Sequence, residues 1–130
     1  MIVGMKDFDS WNLHKKKIEG RIFNYYVNER EVWWCALGLN IGREVDGKNH
    51  LFERPVLIIK KLSKEDFLCV PLSSKPQLSL HSCEFVHGEN RYFVMLAQVR
   101  RISAKRLLRR MYKIKGPIFK IIKQRLKELL

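Results

Sequence analysis

Long apolar runs and paired cysteines are absent from this sequence. No run approaches the roughly 20 consecutive apolar residues that a membrane-spanning helix needs, and no basic, apolar and small-residue signal opens the chain. The three cysteines, Cys35, Cys69 and Cys83, are odd in number and lie within apolar or alternating runs. They are therefore expected to be reduced core residues rather than a disulfide framework. These absences predict a soluble, cytoplasmic protein with no membrane attachment.

Standard catalytic and cofactor motifs are also missing. The sequence has no P-loop, no dinucleotide-binding fingerprint, no Cys-x-x-Cys pair, no His-Glu-x-x-His helix and no Gly-x-Ser-x-Gly elbow. Cys69, His81, Cys83 and His87 carry atoms that bind metals elsewhere, but their spacing matches no standard site. We therefore expect neither a metal nor a cofactor.

Acidic residues are scarce, with 13 Asp and Glu against 26 Lys and Arg, so the net charge is +13. The excess is concentrated in residues 101–130, which contain eleven basic side chains but only one acid, Glu128. A solvated face is the ordinary reading of such a run, but this imbalance favours a surface that faces a polyanion. Nucleic acid is the first candidate partner, an acidic protein the second and an anionic membrane the third.

A chain of 130 residues with 46% hydrophobic content predicts one globular domain with a real core. A surface helix is expected over Asp7–Gly20, capped by Asp9 or Ser10 and ended by Gly20. A connector follows at Phe23–Val27. Ser103–Arg110 predicts a second short helix, and Pro117 opens a final helix with apolar residues at helical spacing.

Short apolar or alternating runs occupy the middle of the chain and predict strands. They are Val32–Leu39, Pro55–Lys60, Phe67–Leu72, Leu80–Val86, Tyr92–Leu96 and Gln98–Ile102, with a hairpin tip at Lys64–Asp66. Short strands with tight turns predict a mainly β fold, a small antiparallel barrel with flanking helices. The single domain would comprise an N-terminal helical extension (1–30), the barrel (31–102) and a basic C-terminal helical segment (103–130).

Polar residues follow or precede these strands and form a candidate site around Glu31–Lys75. Metal-free cleavage of RNA needs a base for the ribose 2′-OH, donors for the phosphorane oxygens and an acid for the leaving oxygen. Arg54 and Ser73 could bind the phosphate through charge-assisted bonds, and Glu44 or His50 could accept the proton. Each residue also has a structural alternative: an ion pair for Arg54, a strand-end cap for Ser73 and a solvated loop charge for Glu44.

Four motifs in order resemble the MazF/PemK (Kid) family of type II toxin–antitoxin endoribonucleases. They are Glu31-Val32-Trp33-Trp34 leading to Gly42-Arg43-Glu44, then Arg54-Pro55-Val56-Leu57-Ile58, Val70-Pro71-Leu72-Ser73-Ser74, and Leu96-Ala97-Gln98-Val99-Arg100-Arg101-Ile102. The resemblance implies an SH3-like antiparallel barrel of the MazF/PemK/CcdB type. It also implies a homodimer that cleaves single-stranded mRNA without a metal, leaving 2′,3′-cyclic phosphate and 5′-OH ends, and that an acidic antitoxin neutralises.

The resemblance also assigns residues. Arg54 corresponds to the family's catalytic arginine, Ser73 to its catalytic threonine and Glu44 to its loop acid. The expected RNA contacts are Ser74, Gln98, Trp33, Trp34, His50, Lys75 and Arg100, with burial the alternative for at least one tryptophan. Two departures are visible, because Ser73 replaces the usual threonine and Ala97 stands where many members have an aspartate.

Two other functions compete with the nuclease. One is a non-catalytic RNA- or DNA-binding barrel that uses the basic C-terminal segment, including Arg109 and Arg110. The other is a barrel toxin that poisons a topoisomerase by protein contact alone. The Arg54 and Ser73 constellation argues against this last function, because a toxin that only binds has no need of these residues.

Overall fold

Antiparallel strands form most of the protein, which is represented by a computed structural model that describes residues 5–77 and 81–130. Its elements, in chain order, are α1 (Phe8–Glu19), β1 (Glu31–Ala36), β2 (Glu53–Lys61), β3 (Asp66–Ser73), β4 (Ser82–His87), β5 (Asn90–Met95), β6 (Arg100–Ser103), β7 (Leu107–Lys113) and α2 (Gly116–Leu129). Short 3₁₀ turns occupy Leu96–Gln98 and Ala104–Arg106. The prediction of a mainly β fold with flanking helices is confirmed. Neither α-helix is long and apolar enough to cross a membrane.

The strands pair in the order β4-β5-β3-β2-β1-β7, and β6 pairs with the first half of β3. β3 is the hub, because its first half pairs with β6 and its last two residues pair with β5, while β2 lies along it. Within the described ranges the sheet is not closed into a complete barrel. The sequence predicted the strands. Closure of the sheet into a barrel depends on whether its two edge strands pair, and only the folded chain decides that.

β2 is buried on both faces over Val56–Ile59, as its continuous apolar run predicts. Val56 and Ile58 pack into one core cluster with Trp33, while Leu57 and Ile59 point to the other face. There they meet α2, which contributes its apolar stripe of Phe119, Ile122 and Leu126. Burial on both faces therefore holds the middle of β2 firmly. This also fixes the position of the first residues of β2, where the candidate site lies.

α1 covers residues Phe8–Glu19 and has Gly20 as its C-cap, as predicted. Its N-cap is Asp7 rather than Asp9 or Ser10, because the Asp7 carboxylate accepts from the backbone N–H of Ser10 at 3.1 Å. The helix lies on the outside of the domain and buries Trp11 and Ile18.

The helix predicted over Ser103–Arg110 is wrong. Only Ala104–Arg106 makes a 3₁₀ turn, and Leu107–Lys113 then forms β7, which pairs antiparallel with β1. The helical segment expected over 103–130 therefore contains a strand of the sheet. The partner strand decides the conformation, since β preference depends on cross-strand contacts that a local pattern does not contain.

Other boundaries move by a few residues. The first strand ends at Ala36 rather than Leu39, and the last strand before β7 starts at Arg100 because Leu96–Gln98 forms a turn. The alternating run expected from Leu80 matches β4 from Ser82 onwards. Leu80 itself lies outside the described residues.

Candidate functional site

A cleft of about 510 Å³ opens where β2 begins and β3 ends. Its lining includes Arg54, Pro55 and Leu72, together with Trp34 and Met111. Its remaining lining is polar or charged: Lys48, Asn49, Glu53, Ser74, Glu89, Asn90, Arg91 and Tyr92. Cations and hydroxyls beside an aromatic ring are the groups that hold a phosphate and an unpaired base.

Arg54 is half-buried, and the backbone holds its guanidinium. Its Nε donates to the main-chain oxygen of Asp46 at 2.8 Å, and its Nη1 donates to the main-chain oxygen of Leu72 at 3.3 Å. Burial lowers the pKa of Arg54, and the Asp46 carboxylate opposes that shift. An arginine stays protonated under all ordinary conditions. The structural alternative for Arg54 is an ion pair, but the hydrogen bonds of its guanidinium go to main-chain carbonyl groups.

Ser73 lies at the end of β3, and continuing the β2–β3 register by two residues places it opposite Arg54. The residue is only 6% exposed. Its Oγ accepts from the backbone N–H of Lys75 at 3.1 Å and from Nε2 of Gln77 at 3.2 Å. Those two bonds use acceptor capacity of the hydroxyl, which keeps its proton for donation. Ser74 is exposed and lines the cleft.

Two lysines add to the positive charge near Arg54. The pKa of Lys48 is lowered, first by the charge of Arg54, then by burial and then by the charge of Lys75. The charge of Lys48 is thus coupled to that of Arg54 and, more weakly, to that of Lys75. Like charges held together are costly without an anion, so this corner of the cleft is suited to bind one.

Arg109 contacts Glu53 and Trp34, two residues of the cleft lining, and the sequence did not predict these contacts. The buried carboxylate of Glu53 accepts from both terminal nitrogens of Arg109, at 2.9 and 3.0 Å. The same guanidinium lies 4.9 Å from the centre of the Trp34 ring, within cation–π range. Glu53 and Arg109 are 56 residues apart. No local signal links them, because their meeting depends on β1 lying between β2 and β7.

A second groove, of about 650 Å³, contains other predicted site residues. Glu44, Gln98, Arg100 and Ala97 line it. The side chain of Gln98 is bound to the loop, since its Oε1 accepts from the Val45 N–H and its Nε2 donates to the main-chain oxygen of Arg43, both at 3.1 Å. The structure thus separates Glu44, Gln98 and Arg100 from the lining of the Arg54 cleft.

Glu44 also has a structural contact, because its Oε1 accepts from the backbone N–H of Ile41 at 2.9 Å. His50 is exposed and lies towards α1, where its charge contributes to a lowered pKa of His14. Both candidate bases therefore sit on the loop that precedes β2. The chain places neither of them in the lining of the Arg54 cleft.

Trp33 and Trp34 differ in access to solvent. Trp33 is 3% exposed, packs in the core and donates from Nε1 to Oε1 of Glu31 at 3.2 Å. Trp34 is half-buried and lines the cleft. The alternative of burial therefore applies to Trp33, whose ring is inaccessible, and Trp34 is the one of the two whose ring lines the cleft.

Structural contacts absorb part of the basic surplus of residues 101–130. Arg109 pairs with Glu53, Arg110 donates from Nε to the buried Glu31 at 2.8 Å, and Arg101 pairs with Asp66 at 2.9 Å. The exposed lysines of this segment are Lys113, Lys115, Lys120 and Lys127. A test of polyanion binding should therefore remove these lysines, because loss of Arg109 or Arg110 would also disturb the fold.

The cysteines are free thiols, with Cys35 and Cys69 buried and Cys83 half-buried. Burial raises the pKa of Cys35 to about 12, so this thiol is chemically inert at neutral pH. Across residues 5–77 and 81–130, no three side chains of His, Cys, Asp or Glu are grouped to hold a metal ion.

This chain is similar to known proteins in sequence and in fold. A search of curated protein sequences found no match. Among solved structures, an endoribonuclease in complex with its cognate antitoxin, from a mycobacterial species, superimposes with a TM-score of 0.62 at 13% identity. The alignment covers 79% of this chain and 93% of that one, and it shows a shared fold. The model of the PemK-like, MazF-like toxins of type II toxin–antitoxin systems matches residues 28–130. The chain therefore belongs to this family of toxins.

Proposed function

We propose that this protein is a metal-independent endoribonuclease that cleaves single-stranded mRNA as the toxin of a type II toxin–antitoxin pair. The main support is the half-buried Arg54, which two backbone carbonyl groups hold at a strand junction beside Ser73. Lys48, which lines the same cleft, adds positive charge beside it. A fixed cation next to a hydroxyl is what a pentavalent phosphorane needs for stabilisation.

In the proposed reaction the ribose 2′-OH attacks the adjacent phosphorus in line, and the bond to the 5′-oxygen breaks. Arg54 and Ser73 donate to the phosphorane oxygens, while Lys48 and Lys75 attract the phosphate backbone. Glu44 and His50, the two candidate bases, lie on the loop before β2 but outside the lining of the Arg54 cleft, so either would take the proton from the 2′-OH through an intervening water. The departing 5′-oxygen takes a proton from solvent water, so the products are a 2′,3′-cyclic phosphate and a 5′-OH end. Arg54 acts by charge and hydrogen bonding, since its high pKa makes it a poor proton donor.

RNA on either side of the cut would occupy the neighbouring surfaces. Trp34 offers a ring for stacking one base, and Ser74 lies beside it in the cleft. The groove of Gln98 and Arg100 would take the strand as it leaves the cleft. Sequence selectivity would then come from both grooves, which stack and hydrogen-bond unpaired bases.

The partners follow from the family and from the charge. We propose a homodimer in the cytoplasm, bound and silenced by an acidic antitoxin. The net charge of +13 and the exposed lysines of the C-terminal segment support a polyanionic partner. A gene for a small acidic protein beside this one would support the pairing, and light scattering of the purified protein would test the dimer.

The decisive experiment compares Arg54→Ala with the wild type on a labelled single-stranded RNA in EDTA. We expect the variant to lose about 10²–10³ or more in rate, to keep its circular dichroism spectrum, and to lose its ability to arrest growth. Lys60→Ala is the control, because Lys60 is exposed on the same strand, six residues further along. Uncut RNA with wild-type protein in EDTA would rule out the metal-free nuclease, and salt-sensitive binding without product ends would favour the non-catalytic barrel.

The identity of the base is tested separately with Glu44→Gln and His50→Gln. The variant that removes the base should lower kcat by about 10²-fold or more and remove the acidic limb of the pH–rate profile. The other variant should leave that limb in place. If both variants keep the wild-type profile, the base is neither Glu44 nor His50.

A further inference from the structure

α1 and the residues before it precede the part of the chain that matches the family, yet they contact the loop that holds Arg54. Lys6 is the first connection. Its Nζ lies 2.9 Å from Oδ2 of Asp46 and also donates to the main-chain oxygen of Asn40. Asp46 is the residue whose main-chain oxygen accepts from Nε of Arg54 at 2.8 Å. Asp46 thus joins the N-terminal segment to the proposed catalytic arginine.

Trp11 is the second connection, and it closes over the base of the same loop. A Cβ atom placed on Gly38 would lie 2.1 Å from the Trp11 ring, so the ring rests directly on this backbone. Gly38 in turn donates to the main-chain oxygen of Phe52 at 3.1 Å and accepts from the N–H of Gly47 at 2.8 Å. The Trp11 ring therefore covers the place where the backbone of Gly38 is hydrogen-bonded to the backbones of Phe52 and Gly47.

Phe52 is the third connection, because its backbone is strained. Its φ of +52° lies in the left-handed region, which residues with a Cβ rarely occupy. Such conformations persist only where the surroundings hold them in place. The Phe52 ring packs 5.4 Å from that of Trp11 and 5.7 Å from that of His14. α1 thus supports a strained residue that precedes Arg54 by two positions.

We propose that the N-terminal segment is a positioning element of the active site, in which Lys6 and Trp11 fix the loop that holds the guanidinium of Arg54. Lys6 sets the position of Asp46, and Trp11 keeps Phe52 in its left-handed conformation. Both residues act through Arg54 and touch no substrate. The effect on catalysis rests on the proposed nuclease activity, whereas the effect on Arg54 itself does not.

The test compares Lys6→Ala and Trp11→Ala with Leu13→Ala, a control on the same helix whose side chain is 64% exposed. The first readout is the ¹⁵N NMR signal of the Arg54 Nε–H and its exchange with water. We expect at least about tenfold faster exchange in both test variants and no change in Leu13→Ala. The second readout is the cleavage of a short RNA. Misplacement of a reacting group by about 1 Å costs roughly 10²-fold, so kcat should fall about 10- to 100-fold with KM within about threefold.

Two further variants separate positioning from general stability. Lys6→Arg keeps the cation and should restore slow Arg54 exchange and most of kcat. Melting temperatures show whether Trp11→Ala is folded at the assay temperature, and Lys6→Ala carries the test if it is not. Unchanged Arg54 exchange in Lys6→Ala would overturn the proposal. A wild type that leaves RNA uncut would refute the nuclease and leave the NMR test of the N-terminal segment valid.

Discussion

Arg109 on β7 donates through both terminal nitrogens to the Glu53 carboxylate on β2, across the intervening strand β1. The two partners differ in exposure, because 51% of the Arg109 side chain is accessible but only 6% of that of Glu53. The pair therefore serves mainly to satisfy a buried acid. It also places the guanidinium over Trp34, at the wall of the proposed RNA cleft.

The first prediction concerns this asymmetry. Arg109→Gln leaves a buried carboxylate poorly paired and should lower the free energy of unfolding by about 1–3 kcal/mol. Glu53→Gln leaves an arginine that can turn to water and should cost less, about 1 kcal/mol or below. Urea unfolding of both variants measures the difference. Arg101→Gln, which removes a largely exposed pair with Asp66, should leave the urea midpoint unchanged. A larger loss for Glu53→Gln than for Arg109→Gln would contradict the prediction.

The second prediction concerns the contact between α1 and the loop. Gly38→Ala places a methyl group against the Trp11 ring and also strains a φ of +77°. We expect a loss of about 2–4 kcal/mol, which combines overpacking with backbone strain. Gly42→Ala is the matched control, because its φ of +57° is similarly strained but no atom lies within 4 Å of the new Cβ. It should cost about 1–2 kcal/mol, and equal losses for the two variants would show that the Trp11 contact is unimportant.

The third prediction is a pH dependence of stability from His14. Burial lowers its pKa below the ordinary 6.5, and the charges of Lys17 and His50 lower it further. The guanidinium of Arg106 also lies over the neighbouring Trp11 ring. The unfolded chain therefore binds more protons than the folded chain between the folded pKa and 6.5. Stability should fall as the pH drops from above 6.5 to the folded pKa, and should be level below it.

Urea midpoints of the wild type and of His14→Phe between pH 8 and pH 5 test this dependence. The phenyl ring keeps the packing against Phe52 but carries no proton, so the slope due to His14 should disappear. An identical slope in the variant would assign the pH dependence to other groups.

The fourth prediction concerns the hydroxyl of Ser73. Ser73→Ala removes the oxygen that accepts from the Lys75 N–H and from Gln77. Stability should fall by about 1 kcal/mol, and the cleavage rate should fall by about 10²–10³ if the hydroxyl donates to the phosphorane. Ser73→Thr keeps the oxygen and should retain cleavage within about tenfold. A fully active Ser73→Ala variant would reduce this residue to a strand-end cap.

The fifth prediction concerns base stacking by Trp34. A base–aromatic stack is worth about 1–3 kcal/mol, so Trp34→Ala should weaken the binding of a short single-stranded RNA roughly 5- to 150-fold. Trp34→Phe keeps a ring and should lose much less. The fluorescence anisotropy of a labelled oligonucleotide, measured at one salt concentration in the Arg54→Ala background, avoids cleavage. Equal affinities for Trp34→Ala and Trp34→Phe would show that the ring does not stack on RNA.

The predicted parts of the fold are those with strong local patterns. Val56–Ile59 could be recognised as a strand, because burial on both faces demands a continuous apolar run. α2 could be recognised from its apolar spacing and from Pro117 at its start. β7 could not be recognised, because Leu107–Lys113 forms a strand by pairing with β1, which is distant in the sequence.

The amino-acid sequence by itself determined the mainly β class and the strongly basic character of the protein, and it indicated an arginine and a serine at strand ends. Those features are local, because apolar runs, charges and strand ends can be identified from short stretches of consecutive residues. Tertiary structure alone decided that Trp33 is buried while Trp34 faces the cleft, and that Glu44 and Gln98 line a separate groove. It also decided that Glu53 meets Arg109 and that Lys6 reaches Asp46. Each of these relationships depends on how the strands and loops are arranged in three dimensions, and no local sequence pattern predicts that arrangement.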